Sequence, residues 1–225
     1  MKTKKRSKDS FLRTLSCTTQ YEEMAYQYGC KHPCGIDECA RGNWAGSTVA
    51  GACILPRELP ESLAGKLRDS KLLSPKKRAA LAVEIKARAI AWNVAEVSVE
   101  VIDEINIRRA AILAMEESVH GLAVIPDFLL IDAVEIDLPV EQMAIEHGDA
   151  LSVSIAAASI LAKTYHTELM DRLDAEYPGY GFAHHRGYGT KEHIEAIQRL
   201  GLTPLHRRSF APIKQYLASS AVAAV

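Results

Sequence analysis

Phe128-Leu129-Leu130-Ile131-Asp132 is four apolar residues closed by a carboxylate. An apolar run this short is the pattern of a strand covered on both faces. A carboxylate at the carboxyl end of such a strand sits where open α/β sheets place their ligands. On the N-terminal side, residues 103–120 carry Ile107, Ala110, Ala111 and Ala114 at helical spacing, with Gly121 just past the end. Before them, residues 93–101 alternate as a strand does, with Val97, Val99 and Val101 on one side. Ser74-Pro75 opens a helix, serine as N-cap and proline at the first helical position. Further back, Gly35-Ile36-Asp37-Glu38 and residues 47–55 read as a strand pair, with Asp69-Ser70-Lys71 in the connection that follows Pro56 and Pro60. Residues 11–29 read as a short amphipathic lead-in helix. On the C-terminal side come an edge strand (140–145), a long Ala-rich helix (152–173) and a last helix near 190–200. This order predicts an α/β fold with a small helical appendage. It divides into a basic tail and lead-in helix (1–29), a core (30–177) and a C-terminal helical segment and tail (178–225).

The chain has 225 residues, 48% hydrophobic and 24% charged, which is ordinary globular usage and excludes wholesale disorder. A net charge of −1 excludes a uniformly basic nucleic-acid coat but allows a local basic patch. No apolar run approaches the ~20 residues of a membrane span, and the basic start leads into no apolar segment of a secretory signal. Five cysteines, Cys17, Cys30, Cys34, Cys39 and Cys53, crowd the first quarter. With no export signal they read as reduced thiols of a cytoplasmic protein. Charge is segregated: five bases stand in the first ten residues, and seven acids with no Lys or Arg lie between 127 and 149. Six bases and four histidines follow between 184 and 214. An acidic middle and a basic tail suit a protein that holds cations at one place and phosphates at another.

Asp132, the adjacent pair Asp37-Glu38, and Asp149 ahead of the long helix come from three regions that an α/β sheet can bring to one edge. Neighbouring strand side chains point to opposite faces, so one of Asp37 and Glu38 faces a covered side unless the strand ends there. A buried acid needs a cationic partner. Four acids without an intervening base repel, and hard divalent cations such as Mg²⁺ or Mn²⁺ relieve that repulsion. Two such ions ~3.5–4 Å apart form the clamp used for in-line phosphoryl chemistry.

Gly35-Ile36-Asp37-Glu38-Cys39-Ala40-Arg41-Gly42, with Ala45-Gly46 after it, resembles the opening motif of type 2 ribonucleases H (ribonuclease HII). Five later stretches resemble the same family in the same order. They are Asp69–Ser74, Ile105-Asn106-Ile107 with Ala114-Met115, Ala157–Lys163, Gly187–Thr190 and Leu205–Phe210. The resemblance covers about residues 30 to 213. It implies a ribonuclease H-like mixed sheet flanked by helices, with 178–225 contributing to substrate binding. It implies endonucleolytic cutting of the RNA strand of RNA–DNA hybrids and 5′ to ribonucleotides embedded in duplex DNA, leaving a 3′-OH and a 5′-phosphate. It implies two Mn²⁺ or Mg²⁺ ions on Asp37, Glu38, Asp132 and Asp149. The family's Gly-Arg-Gly loop falls on Ala40, Arg41 and Gly42, whose backbone is expected at the ribose 2′-OH. The family's sugar-packing tyrosine falls on Tyr188. Arg41, Lys71 and Lys163 become candidates for phosphate contacts, and Arg207 and Arg208 secondary ones. A monomer is expected, with contact to a sliding clamp left open.

Departures from the pattern concern the loop. Ala40 stands where the family has glycine, so its Cβ is expected to oppose a positive φ or close approach to ribose. Ala133 likewise follows Asp132 where glycine is common. Asn43 and Ser47 replace prolines, which predicts a less rigid loop. His184, His185 and His193 read as exposed tail histidines. Three alternatives compete. A non-catalytic hybrid binder would show an amide or apolar residue among the four acids, and none is present. A zinc module on Cys30, His32, Cys34 and Cys39 lacks paired Cys-x-x-Cys knuckles. Ribonuclease HIII is disfavoured by the Ala-Arg-Gly loop and by the lack of room for an extra N-terminal domain.

Overall fold

A computed structural model describes residues 15–222. The basic start, the first part of the lead-in segment and the last three residues lie outside them. Helix α1 (Gln20–Gln27) is shorter than the expected 11–29 span, because Thr19 stands at its N-terminal boundary and Gly29 turns the chain at φ 93°. Five strands follow among the described residues: β1 (Pro33–Cys39), β2 (Thr48–Ile54), β3 (Ala91–Val97), β4 (Phe128–Asp132) and β5 (Gln142–Ile145). They form one sheet in the order β3-β2-β1-β4-β5, with β1–β2 and β2–β3 antiparallel and β1–β4 and β4–β5 parallel. Helix α2 (Pro75–Arg88) starts as the Ser-Pro pair requires, with the Ser74 hydroxyl accepting from the Lys77 N–H. Helix α3 spans Val99–His120 and α4 Val153–Glu176. After α4 come α5 (Phe182–His185), α6 (Lys191–Leu200) and α7 (Ala211–Val222).

The sheet is covered on both faces. One core joins Ile36, Ala52, Leu129 and Ile131 to Ile102, Ala114 and Met115 of α3. On the other side α4 lies close against β1 and β2 because those strands supply glycine at the contacts. A Cβ on Gly35 would stand 2.0 Å from the Ser154 carbonyl carbon, and one on Gly51 2.5 Å from the Ala158 oxygen. The run Ala156-Ala157-Ala158 completes the close fit, each residue fully buried. No described helix is long and apolar enough to cross a membrane.

Candidate active site

Pairing between the parallel strands β1 and β4 ends at Ile36–Ile131. The next residue of each strand is Asp37 and Asp132, so both carboxylates sit at carboxyl ends in the middle of the sheet. Glu38 follows one residue before β1 ends, still in register with Ala50 of β2. One oxygen each from Asp37, Glu38 and Asp132 lies within 4.8 Å of the others. Asp37 is the covered member, 5% exposed, and its Oδ1 accepts from the Glu38 N–H at 2.8 Å. Asp132 Oδ1 accepts from the Gly148 N–H at 2.7 Å.

Crowding and burial show in the acidities. The Asp37 carboxyl is pushed well above the ordinary carboxylate range by burial and then by the charges of Glu38, Asp132 and Asp149, against a hydroxyl bond from Ser159. Asp132 is pushed up by burial, partly opposed by the Gly148 N–H. Arg41 beside Glu38 and Lys71 beside Asp149 offset part of the acids' charge, and an all-oxygen donor set suits hard divalent cations. No other group of three or more acid, cysteine or histidine ligands forms among the described residues. The Cys30, His32, Cys34, Cys39 alternative therefore fails, and burial drives the Cys34 and Cys39 thiols up to about 12.

Asp149 stands in a 3₁₀ turn (Gly148–Ala150) just before α4, 4% exposed, and contributes to the field on Asp37. Its Oδ2 accepts from Lys71 Nζ at 3.2 Å. Lys71, expected to meet phosphate, is thus a counter-ion of the acidic cluster. Asp69, which was not among the candidate site residues, anchors it: the Asp69 carboxylate accepts the Lys71 N–H at 2.8 Å and lies 4.0 Å from Nζ. The Ser70 and Ser159 hydroxyls, 2.9 Å apart, tie this turn to α4 beside Asp37. Asp69 and Ser159 both lie in stretches that resemble the family, but their contacts with Lys71 and Asp37 needed the third dimension.

Ala40 adopts φ 70° and Ala133 φ 62°. The methyl groups do not prevent the left-handed backbone; they strain it. Arg41 Nη1 donates to Glu38 Oε1 at 3.2 Å. Arg41, Arg108, Ala133 and Glu135 line part of a cavity of about 440 Å³ next to the acids. On the loop's other side, a Cβ on Gly42 would stand 3.7 Å from the Tyr188 ring, and Lys163 Nζ lies 5.7 Å from that ring's centre. The Ala40–Gly42 loop, Tyr188 and Lys163 are therefore neighbours.

Three expectations need correction. Asn43 is fully buried, and its Nδ2 donates to the Arg186 carbonyl at 2.6 Å and lies 3.0 Å from His166 Nε2, which fastens the loop instead of loosening it. Arg207 is fully buried on backbone carbonyls and faces no phosphate, whereas Arg208 is exposed. His185 and His193 are buried in aromatic contact with Phe182, and only His184 of the three is exposed.

A mixed sheet of this order, with oxygen donors massed where parallel strands end, defines a nuclease of the ribonuclease H-like fold that works with divalent cations. The description "Ribonuclease HII" belongs to the family model that matches residues 34–213. Ribonuclease HII of Caulobacter vibrioides is 51% identical over 190 residues, 84% of this chain and 89% of that protein. The Anaeromyxobacter sp. enzyme is 48% identical over 200 residues, 88% of this chain but 62% of its own length. Among solved structures, ribonuclease H2 from Pyrococcus horikoshii shares the fold with a TM-score of 0.71 at 22% identity, covering 82% of this chain and 96% of that one. Bst-RNase HIII in complex with Mn²⁺ gives 0.63 at 18% identity, covering 87% and 72%. The chain belongs to the ribonuclease HII family.

Proposed function

We propose that this protein is an endoribonuclease that hydrolyses the RNA strand of RNA–DNA hybrids and cuts 5′ to ribonucleotides embedded in duplex DNA, leaving a 3′-OH and a 5′-phosphate. The observation that carries this reading is the convergence of Asp37, Glu38 and Asp132 within 4.8 Å beside a positive-φ loop that abuts Tyr188. Asp37, Glu38, Asp132 and Asp149 are the residues that would hold two Mg²⁺ or Mn²⁺ ions. Such ions, when bound, activate water and stabilise the leaving 3′ oxygen. Arg41, held on Glu38, presents the backbone of Ala40–Gly42 toward a ribose 2′-OH, the group that separates RNA from DNA. Tyr188, 42% exposed, offers its ring to the following sugar, and Lys163 beside it offers a cation to phosphate. Lys71 pairs with Asp149 and fixes the position of its carboxylate. Residues 30–177 thus supply the chemistry and 178–225 part of the substrate surface. The described cysteines are unpaired, which suits a cytoplasmic monomer.

The test is cleavage of defined duplexes, a continuous hybrid and one with a single ribonucleotide, in Mg²⁺ and in Mn²⁺. Asp37→Asn and Asp132→Asn should each lower kcat by ~10³-fold or more, as loss of a metal-holding group does. Full activity of either variant would refute the site. A wild-type enzyme that cuts the hybrid but not the single-ribonucleotide duplex would refute the loop's role alone.

A further inference from the structure

His206 and Arg207 are consecutive polar residues with 1% and 0% exposure, and the cleavage chemistry leaves both unused. Arg207 donates Nε to the Gly46 carbonyl at 2.9 Å, Nη1 to the Arg41 carbonyl at 3.1 Å and Nη2 to the Ser47 carbonyl at 3.0 Å. Its own N–H donates to the Trp44 carbonyl at 2.8 Å. Burying a guanidinium on neutral carbonyls is costly, and burial brings its pKa down to about 10. What the arrangement achieves is a fixed path for residues 41–47, since one planar fork holds three of their carbonyls.

His206 works in the other direction, and its neighbours dictate where its proton sits. The Thr203 N–H donates to His206 Nδ1 at 2.9 Å, so Nδ1 is bare and the ring proton is on Nε2. That Nε2 lies 3.1 Å from His193 Nε2. His193 Nδ1 lies 3.0 Å from the Tyr188 carbonyl, which can only accept, so His193 is protonated at Nδ1 and offers a bare Nε2 to His206. One directed chain results: Thr203 N–H to His206, His206 to His193, His193 to the backbone of Tyr188. Beside it the Gly187 N–H donates to His185 Nδ1 at 3.2 Å, and His185 Nε2 donates to the Tyr180 carbonyl at 2.8 Å. The His185 and His193 rings stack at 4.3 Å. The Trp44 N–H also donates to the Gly187 carbonyl at 2.7 Å, which closes the link between the two segments.

We propose that His206 and Arg207 are positioning residues for ribose recognition, Arg207 fixing the Ala40–Gly42 loop through Arg41 and His206 fixing Tyr188 through His193. Adjacent residues of one segment thereby set the separation between the two elements that meet the sugars. This rests on the sugar-reading roles given above to that loop and to Tyr188.

The test compares His206→Gln, His206→Asn, Arg207→Lys and Tyr188→Ala on the single-ribonucleotide duplex, each first melted to confirm a folded protein. Imidazole ¹⁵N spectra of the wild type read the tautomers without any variant. His206→Gln keeps an amide donor at the position of Nε2 and should stay within ~3-fold of wild type, because the aim of Tyr188 is retained. His206→Asn lacks that reach and Arg207→Lys lacks the fork; both should raise KM ~10-fold with kcat within ~3-fold. The spectra should show His206 protonated at Nε2 and His193 at Nδ1. The opposite tautomers would overturn the inference. So would an unchanged KM in His206→Asn and Arg207→Lys where Tyr188→Ala raises it. An unchanged KM in Tyr188→Ala would instead remove the sugar-reading role, and the positioning role with it.

Discussion

Ala40 shows how a single methyl group is tolerated where the backbone wants glycine. At φ 70° an L-residue other than glycine carries ~1–2 kcal/mol of steric cost, and Ala133 at φ 62° carries a similar one. Ala40→Gly removes that cost but returns ~0.4–1 kcal/mol of freedom to the unfolded chain. The variant should therefore be more stable by about 0.5–1 kcal/mol in urea unfolding with an unchanged m-value, and a lower midpoint would show that the loop is not strained. Asp37 carries strain of another kind, electrostatic instead of steric. Its folded pKa lies above the unfolded value, so its contribution to stability is present at low pH and lost as pH rises through the folded pKa. At neutral pH without added metal, Asp37→Asn should consequently melt higher than wild type, by on the order of 1 kcal/mol. Mg²⁺ or Mn²⁺ should raise the melting temperature of the wild type and not of the variant. A variant that melts lower under these conditions would mean the carboxylate is satisfied by the protein alone.

Helices and strands were legible where a local pattern had one meaning. The Ser74-Pro75 start, the apolar run of β4 and the Ala-rich α4 fall where expected, and β5 is the expected edge strand shortened to Gln142–Ile145. The failure lies at 93–101, where β3 ends at Val97 and α3 begins at Val99. Val97, Val99 and Val101 alternate, but Val99 and Ile102, three apart, are the pair that the first turn of α3 buries. Over so few residues the two periods cannot be told apart. Asn106 then breaks α3 at φ 68°, ψ 160°, and its Oδ1 caps the second half by accepting from the Arg108 and Arg109 N–H groups at 3.0 and 3.2 Å. No apolar period announces such an internal cap. The close seating of α4 on the sheet was equally silent in the sequence, yet it delivers Ser159 to Asp37 and Ser70. A methyl group on Gly51 would meet the Ala158 oxygen at 2.5 Å, and neither backbone can yield alone. Gly51→Ala should destabilise by about 3 kcal/mol, the upper range for overpacking, with cleavage lost in parallel with folding. A loss below ~1 kcal/mol would mean that α4 slides freely over β2.

At the scale of the molecule, the acids could be gathered from sequence because each sits at the end of a recognisable element. The C-terminal segment could not, because its logic is long-range: Arg207 meets carbonyls 160 to 166 positions away, and its histidines look like surface residues until packed. Burying them has a consequence for the whole fold. Burial, the leading cause in each case, pushes His166 down to about 3 and His193 and His206 to about 4, whereas an unfolded chain takes up each proton near pH 6.5. The folded pKa is the lower one, so between the two values the unfolded chain binds the extra protons and stability falls as pH drops. Each histidine contributes ~1.4 kcal/mol per pH unit within its window. Asp37 and Asp132 act in the opposite sense, since their raised pKa values favour the fold in acid. Asp37→Asn removes the larger of those opposing effects and is the background in which to measure. Its unfolding free energy from urea titrations should fall between pH 6.5 and pH 5 by more than ~1.4 kcal/mol per unit. His206→Gln added to it should flatten the slope by about one proton. A level profile over that range would show that the three rings accept protons in place, and the rigid neutral histidine core would have to be abandoned.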